Sequence, residues 1–333
     1  MSRYGPLGSL LDDGEVSEIM INGPGAVWVE RRGVLERTDV ELDTRAIETI
    51  IERLLTPSGR RVDRRVPFAD ARLPDGSRVH VVIPPAAVDG PCVSIRRFVR
   101  SPRSLDAFAS PEVVRLLEWL VMARANIVVT GAASAGKTTL LGALGRAIGQ
   151  HERVITIEDA AELSLDAGHV VRLEARPPNS EGVGAVSLRA LLRNALRMRP
   201  DRLVIGEVRG AEAVELLQAM STGHDGSLAT CHANGPLDAL RRLEIMVLLG
   251  DHSLDATAVR EQLVSAVDVV VHVARRRDGA RVVAQVVEVC SETPVSVRTL
   301  ADADRVVALP HRPPRAPSVP APPVVPAVAK EPV

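Results

Sequence analysis

Between the apolar run Asn126-Ile-Val-Val-Thr130 and a helical pattern opening at Thr139, the chain reads Gly131, Ala132, Ala133, Ser134, Ala135, Gly136, Lys137, Thr138. This is the spacing G-x-x-x-x-G-K-[ST] of a loop that binds nucleotide phosphates, in the strand-then-helix setting it requires. The turn's backbone N–H groups and the positive end of the following helix favour anions. Lys137 is placed to reach the β- and γ-phosphates and Thr138 to ligate Mg²⁺, with Thr139 completing the first helical turn. Ala133, Ser134 and Ala135 stand where many such loops carry more glycine.

Two strand ends downstream supply carboxylates. Val154-Ile-Thr-Ile157 leads into Glu158 and Asp159, and Leu203-Val-Ile-Gly206 leads into Glu207. An acid leaving a strand beside a phosphate loop can orient or deprotonate an attacking water, and another can hold Mg²⁺ directly or through water. Each alone reads as a solvated strand terminus; two of them after a phosphate loop point to hydrolysis. His224 and His232 flank a glycine-containing turn. Without a third matched ligand they argue weakly for zinc and better for an imidazole that senses a γ-phosphate. Arg96, Arg97, Arg193, Arg197, Arg199 and Arg209 lie at or near predicted strand ends and a helix, where guanidinium suits a transferring phosphoryl group.

Elements that could position these residues follow from the pattern. Strands at 127–130, 154–157, 170–173 and 203–206 alternate with helical stretches, an α/β arrangement with a mainly parallel sheet that binds ligands at the strands' carboxyl ends. Residues 1–100 mix short strands and turns with one helix at Thr44–Leu55, for which Thr44 is a plausible N-cap, and read as a smaller α+β domain. Residues 101–111 read as a linker, with Ser110 and Pro111 opening a helix. The catalytic domain is expected over 112–305. Residues 306–333 form a proline-rich tail, with nine prolines in the final 24 residues, expected to be extended or disordered and more often solvated than docked.

Composition narrows the classes further. The 333 residues are 46% hydrophobic, enough for a sizeable core, and formal net charge is -1. With 2% aromatic content there is no base-stacking platform, so a nucleic-acid translocase is disfavoured. Arginines still cluster at Arg60, Arg61, Arg64 and Arg65 and again at Arg96, Arg97, Arg100 and Arg103. Cys92, Cys231 and Cys290 lack metal-type spacing and read as small buried residues in a reducing compartment. No apolar run approaches bilayer length and the start lacks a leader's apolar core, so a cytoplasmic location is expected, with any membrane association made through partners.

Taken together, these segments resemble the secretion ATPase superfamily of type II and type IV systems, most closely its CpaF/TadA branch, which powers tight-adherence (Flp) pili. Further markers are Val16-Ser-Glu-Ile-Met-Ile-Asn-Gly23, Leu73-Pro-Asp-Gly-Ser-Arg-Val79, Ile83-Pro-Pro-Ala-Ala-Val-Asp-Gly90, Ser94-Ile-Arg-Arg-Phe98 and Arg193-Asn-Ala-Leu-Arg-Met-Arg-Pro-Asp201. The resemblance implies a RecA-like motor domain behind a smaller PAS-like N-terminal domain, a homo-hexamer using ATP and Mg²⁺, and an inner-membrane platform protein as partner. It implies Glu158 as catalytic base, Glu207 as the Mg²⁺-holding acid and His232 as phosphate sensor. Arg96 and Arg97 fall on the segment that closes over nucleotide. Members of the branch often carry a longer helical region ahead of the N-terminal domain, whereas this sequence begins almost at that domain. A VirB11-like conjugation or export motor shares the same boxes, and a scaffold that binds ATP without turnover is the remaining alternative.

Overall fold

The computed structural model describes residues 4–97, 104–178, 183–276, 278–290, 295–316 and 318–323. Phe98, Arg100 and Arg103, linker residues 101–103 and tail residues 317 and 324–333 lie outside them. The chain divides into two units, Met1–Ser101 and Pro102–Val333.

In the first unit, apolar side chains largely alternate along strands β1 (Val16–Asn22), β2 (Gly25–Arg31), β3 (Val34–Leu42), β4 (Phe68–Arg72), β5 (Arg78–Val82) and β6 (Cys92–Arg96). They pair in the order β3-β2-β1-β6-β5-β4, antiparallel throughout. A short helix, α1 (Gly8–Asp12), precedes the sheet. Helix α2 (Thr44–Leu55) turns Ile47, Ile50, Ile51, Leu54 and Leu55 into the core with Val27, Ile19 and Val93. Its N-cap is Asp43, whose Oδ1 accepts from Ala46 N–H at 2.7 Å, one residue ahead of the threonine expected from sequence. The carboxylate supplies the side-chain acceptor that the helix start needs.

The second unit is built on one nine-stranded sheet: β7 (Ile127–Gly131), β8 (Arg153–Glu158), β9 (His169–Glu174), β10 (Arg202–Val208), β11 (Leu228–His232), β12 (Val269–Arg275), β13 (Arg281–Cys290), β14 (Ser296–Asp302) and β15 (Arg305–Val306). Its order is β15-β14-β13-β12-β7-β11-β10-β8-β9. From β12 to β9 every pairing is parallel; β13, β14 and β15 add an antiparallel flank. Ile127 and Val129 pack on one face with α3 (Pro111–Met122) and α4 (Lys137–Gly145). Val128 packs on the other face with α5 (Leu188–Ala195), α6 (Glu212–Ser221), α7 (Pro236–Gly250) and α8 (Ala256–Ala266). Both faces are covered, which is why these strands read as continuous apolar runs. Among the described residues no helix is long and apolar enough to cross a membrane.

Two sequence expectations are corrected here. The segment expected as linker is packed from residue 105 on: Leu105 and Phe108 enter the core of the second unit, and Ser110 caps α3 with Pro111 in its first turn. The tail, expected to be solvated more often than docked, is bound to this unit over its described residues, through Arg312, Arg315 and the carbonyl of Pro320, while forming no helix or strand beyond β15. Composition spoke against a core of its own; the described tail residues use polar partners on the folded unit, and Ala308 and Val319 pack against its core.

Candidate nucleotide-binding site

Four neighbouring parallel strands end on one edge of the sheet, and each brings a residue singled out in the sequence. Gly131 ends β7, His232 ends β11, Gly206 and Glu207 lie near the end of β10, and Glu158 ends β8. His232 is paired in register with Gly131. The β10–β11 register slips between Ile205 and Val208, so Glu207 sits at an irregularity in the ladder. Such slips re-aim side chains. Thr230 Oγ1 donates to Gly206 C=O at 2.6 Å across the same pair of strands.

The phosphate loop fills the β7–α4 connection. At Gly131 a Cβ would fall 2.3 Å from the Val273 carbonyl oxygen on β12, so only glycine fits. Gly136 has φ +100° and forms the N-cap of α4, where no side chain caps the helix and its first turn holds no acid. The helix's positive end is therefore uncompensated by side chains, as an anion site needs. Ala132, Ala133 and Ser134 are exposed and Ala135 is buried. Ser134 has φ +57°, the left-handed conformation in which glycine would be unstrained. Lys137 opens the helix and its Nζ donates to Ala132 C=O at 3.0 Å, while Thr138 and Thr139 are half-buried on the first turn.

Glu158 is 2% exposed. Its Oε1 accepts from the N–H groups of Glu162 and Leu163 at 2.9 and 2.8 Å, while Oε2 has no hydrogen-bond partner. Burial pushes its carboxyl up to about 7, against the opposing pull of those two N–H groups and of Arg172. A carboxyl poised near neutrality can act as acid or base. Gly206 is its close neighbour: a Cβ there would lie 2.9 Å from Glu158 Cγ. Sequence reasoning treated Gly206 only as the residue before Glu207 and missed this role; its place one residue before a strand-end acid was the available signal.

The remaining residues separate. Asp159 and Arg209 form an ion pair that joins the segments after β8 and β10. Arg193 pairs with Glu215, which is 4% exposed and also takes Arg189, while Arg197 and Arg199 are exposed. His224 lies before β11 and His232 ends it, so the whole strand, roughly 13 Å long at strand rise, separates the segment of His224 from His232. Among the described residues no group of three or more His, Cys, Asp or Glu is arranged to hold a metal ion. Cys231 is buried, and burial pushes its thiol up to about 11, whereas Cys92 and Cys290 are half-buried. Arg96 and Arg97 belong to the first unit: Arg96 ends β6 exposed, whereas Arg97 donates to the carbonyls of Asp13 and Val16.

This geometry has relatives. A Mycobacterium tuberculosis chain named, as a conjecture, a conjugal transfer protein is 40% identical over 318 residues, covering 92% of this chain and 90% of that one. The type IV secretion system protein PtlH homolog of Bordetella bronchiseptica is 36% identical over 304 residues, covering 80% and 88%. The crystal structure of the Legionella pneumophila ATPase DotB superposes with a TM-score of 0.60 at 21% identity over 86% of this chain and 79% of that one, a likeness of fold. The mixed α/β architecture is thus that of an N-terminal domain joined to a RecA-like domain. Residues 2–303 match the type II/IV secretion system protein family, and the chain belongs to that family.

Proposed function

We propose that the chain is an oligomeric ATPase, converting ATP and water to ADP and phosphate, that drives a type IV secretion or conjugal-transfer machine. The observation that carries the proposal is the convergence of the phosphate loop, His232, Glu207 and Glu158 on the carboxyl edge of four adjacent parallel strands. The residues fit a nucleotide: the uncapped start of α4 and the Lys137 ammonium suit phosphate, and Glu158 keeps one carboxylate oxygen unpartnered. Residues 131–139 would hold the phosphates. Thr138 and Glu207 would hold Mg²⁺, which when bound offsets phosphate charge. Glu158, oriented by the Glu162 and Leu163 N–H groups, would take the proton of the attacking water. His232, beside Gly131 in register, would donate to a phosphate oxygen. Of Arg96 and Arg97 on the first unit, Arg96 is the one exposed for phosphate, since Arg97 is engaged by backbone carbonyls.

Relatives named for conjugal transfer and type IV secretion support that role above tight-adherence pilus assembly. The pilus reading, that of the CpaF/TadA branch, keeps the wording of residues 94–98 and 197–201 in its favour. In either role we propose a homo-hexamer on the cytoplasmic face of the inner membrane, passing domain closure to platform proteins. The test is steady-state hydrolysis with parallel nucleotide binding. Lys137→Ala is expected to lose binding, while Glu207→Gln binds and does not turn over; equal loss of binding in both would overturn the role of Glu207. Deleting the gene and scoring conjugal transfer, effector export and piliation separates the two machines.

A further inference from the structure

Two buried carboxylates of the second unit find their partners in the proline-rich tail. Asp268, 6% exposed just before β12, accepts from Arg312 Nη1 at 2.9 Å and from Arg315 Nε and Nη2 at 2.8 and 2.9 Å. It also accepts from Asn126 N–H at 2.8 Å. Glu288, 3% exposed on β13, accepts at Oε1 from the N–H groups of His311 and Arg312 at 2.8 and 2.7 Å, and at Oε2 from Arg298 Nη2 at 2.6 Å. Arg315 also donates to Asp225 Oδ1 at 2.8 Å, and its N–H bonds to Ala123 C=O at 3.0 Å. Trp119 Nε1 donates to Pro320 C=O at 2.8 Å.

The described tail residues beyond β15 form no helix or strand. Hydrogen bonds from these residues run to the folded unit, the way a bound peptide is held. Prolines at 310, 313 and 314 favour an extended backbone and lower the entropic cost of docking. Arginines three residues apart supply charge-assisted bonds to carboxylates already in the groove. Removing the tail would strand those carboxylates with fewer partners, a state that another cationic segment would relieve.

We propose that the groove floored by Asp268 and Glu288 is a docking site for extended arginine–proline segments of the form Arg-Pro-Pro-Arg, and that the chain's own tail is its resident occupant, held as a releasable ionic latch. The latch reaches Asp225, in the segment leading into β11, so its release loosens the approach to the strand that ends in His232. The proposal stands independently of the ATPase reading.

Hydrogen–deuterium exchange of the full chain tests it. Raising salt from about 0.05 M to about 1 M, which shortens the Debye length from above 10 Å to about 3 Å, is expected to speed exchange in 119–125, 223–227 and 309–316 at least tenfold while the interior of β7 is unchanged. The variant Arg312→Gln/Arg315→Gln is expected to show the same loosening at low salt. A synthetic peptide of residues 309–323, added at millimolar concentration, should restore protection of 119–125 and 223–227 in that variant, and the peptide with both arginines replaced by glutamine should not. Unchanged exchange of the wild-type chain at high salt, or restoration by both peptides equally or by neither, would overturn the proposal. The salt series needs no variant, so misfolding of the double substitution leaves it decisive.

Discussion

A carboxyl at about 7 makes Glu158 the residue whose behaviour pH should reveal most directly. Its unpartnered Oε2 can take a proton only when ionised, so hydrolysis is expected to rise with unit slope up to about pH 7 and level above it. Glu158→Gln should remove that limb and lower kcat by a factor on the order of 10²–10⁴, with nucleotide binding retained. An unchanged pH profile in the variant would assign the base elsewhere. The same shift enters stability. The unfolded carboxyl ionises near its ordinary 4.5 and the native one near 7, so the native state holds the extra proton between them. Stability therefore falls as pH rises through that window, by a total on the order of 3 kcal/mol for a shift of this size. Urea unfolding at pH 5 and pH 8 should show the wild-type chain losing more stability than Glu158→Gln, which keeps an oxygen for the Glu162 and Leu163 N–H groups.

At the scale of elements, the site depends on how closely β8 and β10 approach. Gly206→Ala would place a Cβ 2.9 Å from Glu158 Cγ, in the buried interior of the sheet. Overpacking of this kind costs about 1–3 kcal/mol, and the carboxylate is the side chain that must yield. The variant is expected to bind nucleotide like the wild type, through the untouched phosphate loop, and to hydrolyse it more slowly. A normal kcat with lowered stability would confine Gly206 to packing. Why strand ends were legible and other features were not has a physical explanation. The strands β7, β8 and β10 are covered on both faces, so they appear as largely apolar runs, and the acids and glycines near their ends stand out. The Glu158–Gly206 contact joins residues 48 positions apart, a proximity set by parallel pairing that no local pattern carries. The two histidines fell close in sequence, yet a strand between them sets them at opposite sheet edges. The tail's docking was missed for a related reason: composition measures whether a segment can make its own core, and this one is held by arginines on carboxylates 90 and 44 residues away in sequence, Asp225 and Asp268.

For the molecule as a whole, the chain divides into two units, the first built on one apolar cluster and the second on two, one on each face of its sheet. The phosphate loop, both acids and His232 all belong to the second unit, so the proposed function places the groups for binding and for activating water there. Arg96 belongs to the first unit, where it is exposed at the end of β6, and the proposed function assigns its guanidinium to phosphate. Arg96→Ala tests that assignment. Nucleotide binding by the loop should survive with at most a modest loss, while turnover should fall by a factor of ten or more, because the charge developing on the transferred phosphoryl group loses a cation. Mixing wild-type chains with Glu207→Gln chains then asks whether subunits act together. In a ring whose closures are coupled, a subunit that binds ATP without hydrolysing it stalls its neighbours, and activity falls faster than the fraction of wild-type chains. A strictly proportional fall, measured on co-assembled protein under saturating ATP, would mean that each subunit turns over alone and that any force reaches the partner one subunit at a time.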